Sequence, residues 1–245
     1  MGPVKIALQG DLSVFTSNVY SSQGPFNNMG VPDIKVIDLA TIGYSNPFYV
    51  RMAANASSSV LLDAVSKTPT FFTMMLGAND VLNFALKGAA SESITPVAGI
   101  VGIGFDASIN DAINKLTANG AKGAIANIPS IRTMAYFNTI GYNALTLDDT
   151  SATSLTTFYS SLNPVLSFFE GNNAFVIEDA SKPLGYRQAI EGELILLNVP
   201  LDSIKCHKWG SLITIPDRFV LTLAEIDIIE NAISSYNTIL RNIAV

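Results

Sequence analysis

The chain has 245 residues, of which 49% are hydrophobic and only 14% charged, against roughly 25% charged in ordinary domains, so a disordered chain is excluded and a sizeable core is expected. Fourteen basic and 20 acidic residues give a net charge of −6 with no basic stripe, which argues against nucleic acid as a partner. A single cysteine and a single histidine exclude an intramolecular disulfide, a Cys-rich metal site and a multi-histidine zinc site, so neither a metal nor another cofactor is expected.

In chain order, the first strand-like run is VKIAL at 4–8, and IKVIDL at 34–39 is the second. Residues 58–66 follow as a helix with Val60, Leu61, Ala64 and Val65 on one face. The continuous apolar run TFFTMML at 70–76, entering a glycine, has the pattern of a buried parallel strand. The apolar stretch from Thr95 to Phe105 is too short and too glycine-rich to cross a bilayer, and no transmembrane segment is expected. A helix over 106–118 places Ile109, Ile113 and Leu116 together, and AKGAIANI at 121–128 is a further strand ending at Pro129. A helix over 155–169 presents Phe158, Leu162, Val165, Leu166 and Phe169, and NAFVIED at 173–179 reads as a strand. Residues 181–219 break the rhythm and form a long excursion or small subdomain of the kind that supplies lids and binding loops. The last helix opens at Thr222 with Glu225 completing a capping box, and buries Ile226, Ile229, Ile233, Tyr236 and Leu240. The alternation predicts one α/β domain over 1–245 with a mostly parallel sheet.

Among the motifs, Gly77-Ala78-Asn79-Asp80 stands out because it follows a predicted strand directly. Ligands of open parallel sheets bind beyond the carboxyl ends of the strands. The glycine permits a sharp turn, and the Asn79 amide is a neutral donor suited to a developing oxyanion. The alternative is that Asn79 and Asp80 cap the following helix, VLNFAL.

This segment, TFFTMMLGANDVLNFAL, resembles the third conserved block of the SGNH/GDSL hydrolases, a strand ending in Gly-X-Asn-Asp. Upstream, Phe26-Asn27-Asn28-Met29-Gly30-Val31-Pro32 is similar to the second block, with Asp33 where a glycine would usually follow the proline. NPFYVRMA, the Ile-Thr-Pro at 94–96 and RQAIEGELILLNVPLDSIKC extend the resemblance, toward a secreted, Bacteroidetes-like subgroup, from about residue 24 to the C-terminus. The resemblance implies a three-layer α/β/α sandwich and hydrolysis of a small carboxylic ester through a serine nucleophile. Gly30 would supply a backbone N–H, and Asn79 a side-chain N–H, to the oxyanion hole. It also implies an exported protein. The opening residues MGPVKIALQGD lack a signal peptide's long apolar core, as a mature secreted chain would, so the compartment stays open.

The chain departs from the family at both ends. Where Gly-Asp-Ser-Leu is expected, it reads Gly10-Asp11-Leu12-Ser13, with the serine shifted and only 16 residues before Gly30. Ser13 is the candidate nucleophile, with Asp11 in the same motif, and a loop serine is the alternative. The C-terminal Asp-X-X-His of the family has no counterpart after the last helix, and the resemblance implies that this chain ends before it. His207 is then the candidate base, although flanking Lys205 and Lys208 disfavour an imidazolium there; a solvated loop histidine is the alternative. Cys206, adjacent to it, does not make a convincing dyad. Ser45 and Ser130 are further candidate nucleophiles, Glu191 and Glu193 a carboxylate pair, and Asp179 a polar group at a strand end read as structural. Gly99, Gly102 and Gly104 lack the spacing of a nucleotide loop. A sheet missing its outermost strands would expose edges that invite a second chain, so a homodimer or an exchanged element is expected.

Overall fold

The computed structural model describes residues 17–244. The expected strand at 4–8, Asp11 and Ser13 lie outside the described residues. In chain order the elements are α1 (Tyr20–Gln23), α2 (Pro47–Met52), α3 (Val60–Ser66), β1 (Phe71–Met74), α4 (Asn79–Leu86), α5 (Phe105–Thr117), β2 (Lys122–Ile125), α6 (Ala135–Asn138), β3 (Leu145–Leu147), α7 (Asp149–Ser160), β4 (Gly171–Asn173), β5 (Val176–Glu178), β6 (Tyr186–Gln188), β7 (Leu194–Ile195), α8 (Leu201–Cys206), β8 (Val220–Leu221) and α9 (Leu223–Ile243). Short 3-10 turns occupy Val36–Asp38, Ile131–Thr133 and Asp217–Phe219.

The protein is α/β. Among the described residues its strands form four separate pairs, not one continuous sheet: β1–β2 is parallel, and β3–β4, β5–β6 and β7–β8 are antiparallel. Contacts among the described residues cluster into two compact units, one of residues 17–82, 94–129 and 231–244, the other of 83–93 and 130–230.

The first unit is built on the parallel pair, with Phe71 opposite Lys122 and Met74 opposite Ile125. Helix α5 buries Phe105, Ile109, Ala112, Ile113 and Leu116, the face its spacing predicts. Tyr236 of α9 stacks on Phe105 with ring centroids 3.9 Å apart, and its hydroxyl donates to the Thr95 carbonyl. Asn237 satisfies both backbone groups of Ile128, accepting from its N–H at 2.8 Å and donating to its carbonyl at 2.9 Å. A buried carboxylate, Asp63, accepts from the Tyr49 hydroxyl at 2.9 Å, the Ala54 N–H at 3.0 Å and the Ser58 hydroxyl. Burial pushes the Tyr49 hydroxyl up to about 12, so it remains a donor to that carboxylate.

The expected strand at 34–39 is instead the 3-10 turn Val36–Asp38. Its backbone groups are met by side chains and not by a ladder: Asp38 accepts from the Lys35 N–H, while Asn79 and Asp80 take up Ile34 and Val36. An alternating apolar pattern cannot reveal such competition.

The second unit has two apolar clusters. Phe175, Ile177, Ile195, Ile215 and Val220 centre one, and Leu155, Tyr159, Leu166, Phe168 and Val176 the other. The strand expected at 173–179 is split between β4 and β5 and pairs antiparallel. The helix expected to reach 169 stops at Ser160, because Pro164 cannot donate a helical hydrogen bond and disfavours helical backbone at Asn163. Val165 and Phe169 are consequently exposed, at 85% and 62%. Within the 181–219 excursion, Arg187 on β6 donates two bonds to Glu193 at 2.6 and 2.8 Å and one to Asp179 at 2.6 Å. Asp179 is thus engaged at this corner, where the Ser181 hydroxyl and then Arg187 hold its carboxyl at about 2. Glu191 and Glu193 do not act as a pair, since Glu191 is exposed and Glu193 is buried against Arg187. The capping box opening α9 is present, with Thr222 N–H donating to Glu225 at 2.8 Å, and all five predicted apolar positions of that helix are buried.

Candidate functional site

The chain reverses direction at Gly77, beyond the carboxyl end of β1. Gly77 has φ +98°, and a β-carbon there would lie 2.4 Å from Ile128 Cδ1 and 3.0 Å from Phe105 Cε2. The backbone angle favours glycine, and a β-carbon would in addition displace the end of the Ile128 side chain. Helix α4 starts at Asn79, and Val81 and Leu82 bond to the Ala78 carbonyl.

Neither Asn79 nor Asp80 caps that helix. Both side chains reach to a segment more than forty residues earlier: Asn79 Nδ2 donates to the Ile34 carbonyl at 3.0 Å, and Asp80 Oδ2 accepts from the Val36 N–H at 2.9 Å. Asn46 adds a third tie, donating to the Pro32 carbonyl at 2.9 Å while capping α2 through Phe48 N–H. The Gly30–Val36 loop is thus fastened by Asn79 and Asp80 to the segment after the Gly77 turn and by Asn46 to the start of α2. Asp33 adopts φ +64° within it. Aspartate is among the few non-glycine residues that tolerate this region.

Asp80 is 1% exposed. Burial raises its carboxyl to about 6, against the lowering pull of the Val36 N–H, the Thr95 hydroxyl and Lys35. Thr95 Oγ1 and Asp80 Oδ1 influence each other electrostatically, yet both lack a hydrogen-bond partner of normal geometry among the described residues. A carboxyl this enclosed and anchored to backbone holds the loop and cannot reach a ligand.

Gly30 and Asn79 line one cleft of about 1240 Å³ in the first unit. The Asn79 amide has two hydrogens, and its bond to Ile34 uses one and fixes its orientation. Among the described residues the second is uncommitted and can serve an oxygen in the cleft. The Gly30 N–H is occupied, donating to Asn28 Oδ1 at 2.9 Å in an exposed local turn. The cleft lining contains one charged side chain, Lys67, and is otherwise neutral, with Leu61, Leu116 and Phe72 among its apolar members.

The other candidates are placed as follows. His207 lies in the second unit, exposed at the end of α8, its N–H bonded to the Ser203 carbonyl. Among the described residues no carboxylate holds its imidazole. Cys206 beside it is exposed and unpaired. Ser45 is exposed just before α2. Ser130 caps the start of a 3-10 turn and donates to Glu230 of α9 at 2.6 Å, and Glu230 also accepts from the Ile131 N–H, so the Ser130 hydroxyl is engaged in holding that turn. Among the described residues no three His, Cys, Asp or Glu side chains converge on a metal-sized site, and no helix is long and apolar enough to cross a membrane. Sequence reasoning missed the Asp80 clamp, the Asp63 hub and the Arg187 triad. A lone Asp within an apolar helix face was the available signal for Asp63 and Asp80.

No family model, curated protein or solved structure matches the chain.

Proposed function

We propose that this chain is an SGNH/GDSL-type carboxylic-ester hydrolase acting on short acyl esters, of the three-layer α/β/α class. One observation supports the reading above others: Gly30 and Asn79, 49 positions apart in the chain, line one cleft, and the Asn79 side chain is aimed by Ile34 instead of capping its own helix. In this reading the ester carbonyl points toward Asn79 and the Gly30 N–H; Ser13 is the proposed nucleophile, with Asp11 in its motif, and His207 the proposed base. Oxyanion donors supply much of such an enzyme's rate enhancement. No cofactor is required. We further propose a homodimer, supported by the groove of about 740 Å³ in the second unit, where exposed Val165, Phe169 and Leu184 gather; sedimentation equilibrium showing only monomer would refute it.

Labelling with a fluorophosphonate, followed by peptide mapping, tests the mechanism. An adduct on Ser13 supports it, and an adduct on Ser45 or Ser130 moves the nucleophile. A second reading, binding of an ester without turnover, is favoured by the occupied Gly30 N–H. In that case no serine is labelled while the cleft still binds a non-hydrolysable ester analogue.

A further inference from the structure

Among the described residues, three side chains tie the Gly30–Val36 loop to other elements: Asn79 at the Ile34 carbonyl, Asn46 at the Pro32 carbonyl and Asp80 at the Val36 N–H. The loop's other hydrogen bonds are local, without a strand ladder. Of the three, only Asp80 can change charge. Its own surroundings are firmly held. It lies in α4, its backbone carbonyl accepts from the Thr95 N–H at 3.1 Å, and the Thr95 carbonyl accepts from the buried Tyr236 hydroxyl of α9. Burial and then the Asp80 charge push that hydroxyl up, so Tyr236 stays a donor. The charges that reach Asp80 are Lys35 and Asp38 of the 3-10 turn, opposite in sign, and among the described residues no cation makes an ion pair with it.

An ionised Asp80 is therefore a buried charge with one N–H on Oδ2 and no well-placed donor on Oδ1. Neutral, it keeps Oδ2 as acceptor for Val36 and gains an O–H on Oδ1 that can donate to Thr95 Oγ1, the other buried oxygen without a partner. Turned round, the Thr95 hydroxyl draws the carboxyl toward its charged form, but burial outweighs it. Moving the loop away returns the carboxyl to water, where its charged form is favoured. The closed loop thus binds the proton more tightly than the open one.

We propose that Asp80 is a proton-operated latch: its neutral carboxyl holds the Gly30–Val36 loop against α4, and loss of the proton to solvent lets the loop open without unfolding the rest of the unit. Gly30, Val31 and Ile34 of this loop line the 1240 Å³ cleft, so acid closes one wall of the cleft and neutral pH loosens it. Buried Val31, Ile34 and Val36 side chains keep the open form a minority at every pH. The latch does not depend on ester hydrolysis, since it needs only the loop and its fastening.

The test is amide hydrogen exchange of the full chain by NMR from pH 4 to pH 7, each rate divided by the intrinsic rate at that pH. With the carboxyl titrating at about 6 in the closed loop and at an ordinary 3.8 in water, opening at the Val36 N–H should become roughly 50-fold more frequent across that range. Val36 should stay less protected than the amides of buried Ile233 and Tyr236 in α9, which marks a local opening. In Asp80→Asn the pH dependence at Val36 should vanish. If that variant fails to fold, the carboxyl-carbon shift of Asp80 in the native chain decides, and its midpoint should coincide with that of the Val36 opening. Val36 protection that is flat from pH 4 to pH 7, that keeps its pH dependence in Asp80→Asn, or that titrates apart from the Asp80 carboxyl overturns the proposal. So does protection at Val36 equal to that of the α9 core, because the loop would then open only when the whole unit unfolds.

Discussion

Replacing Asp80 by asparagine should change the pH dependence of stability in a way fixed by the geometry. The native carboxyl titrates at about 6 because it is buried, against an ordinary 3.8. The folded state therefore holds this proton more tightly than the unfolded state. Its stabilising contribution is complete below about pH 3.8 and is lost as pH rises through about 6. At about 1.4 kcal/mol for each pH unit of difference, the loss amounts to roughly 3 kcal/mol. Asparagine keeps an oxygen for the Val36 N–H and brings a donor that the partnerless Thr95 hydroxyl oxygen can accept, without a charge to desolvate. Urea unfolding followed by far-UV circular dichroism at intervals from pH 4 to pH 8 gives the stability of both proteins. The variant should gain on the native chain by about 2.4 kcal/mol between pH 4 and pH 7, with the change centred near pH 5. A difference constant to within about 0.5 kcal/mol across that range would show that Asp80 is not a buried, proton-linked clamp.

Other substitutions test separate parts of the account. Gly77→Ala forces a β-carbon against Ile128 at φ +98° and should cost roughly 2–4 kcal/mol in denaturant unfolding; a cost below about 0.5 kcal/mol would contradict the turn geometry. Asp33→Gly relieves left-handed strain at φ +64° and should stabilise by up to about 1 kcal/mol, since glycine's unfolded-state entropy offsets part of the gain; clear destabilisation would refute it. Arg187→Met leaves Glu193, 3% exposed, without its cation and should cost about 3–5 kcal/mol. Trp209, which packs against the Phe175–Ile177 cluster, reports that unfolding by fluorescence, and adding Glu193→Gln should restore part of the loss.

Elements whose signal is local were legible in the sequence. Helix α5 and the capped start of α9 follow from spacing and one Thr–Glu pair, and the position and parallel pairing of β1 follow from an uninterrupted apolar run into a glycine, but the burial expected of that run does not, since Phe71 is 60% and Met75 73% exposed. What was not legible depends on partners distant in the chain. Residues 34–39 alternate like a strand, yet Asn79 and Asp80 satisfy their backbone from 45 and 44 residues away. The helix α7 ends at Ser160 ahead of Pro164 although the apolar spacing continues to Phe169, because periodicity carries no record of the N–H that proline lacks. The Arg187 triad joins three charges scattered along a stretch that reads as loop. Of the candidate site, the Gly30 and Asn79 positions were readable because each sits in a motif. That Gly30 spends its N–H on Asn28 was not, because an Asx turn depends on a rotamer.

The claim that matters most is that Asn79 and the Gly30 N–H bind an oxyanion in one cleft. Steady-state hydrolysis of p-nitrophenyl acetate by the native chain and by Asn79→Ala, Asn28→Ala and the double variant tests it directly. Loss of one oxyanion donor costs about 10²–10³ in turnover, so Asn79→Ala should lower kcat by that factor with circular dichroism unchanged. Asn28→Ala, which frees the Gly30 N–H, should raise kcat several-fold, and only while Asn79 is present. Equal kcat in all four proteins would contradict the account.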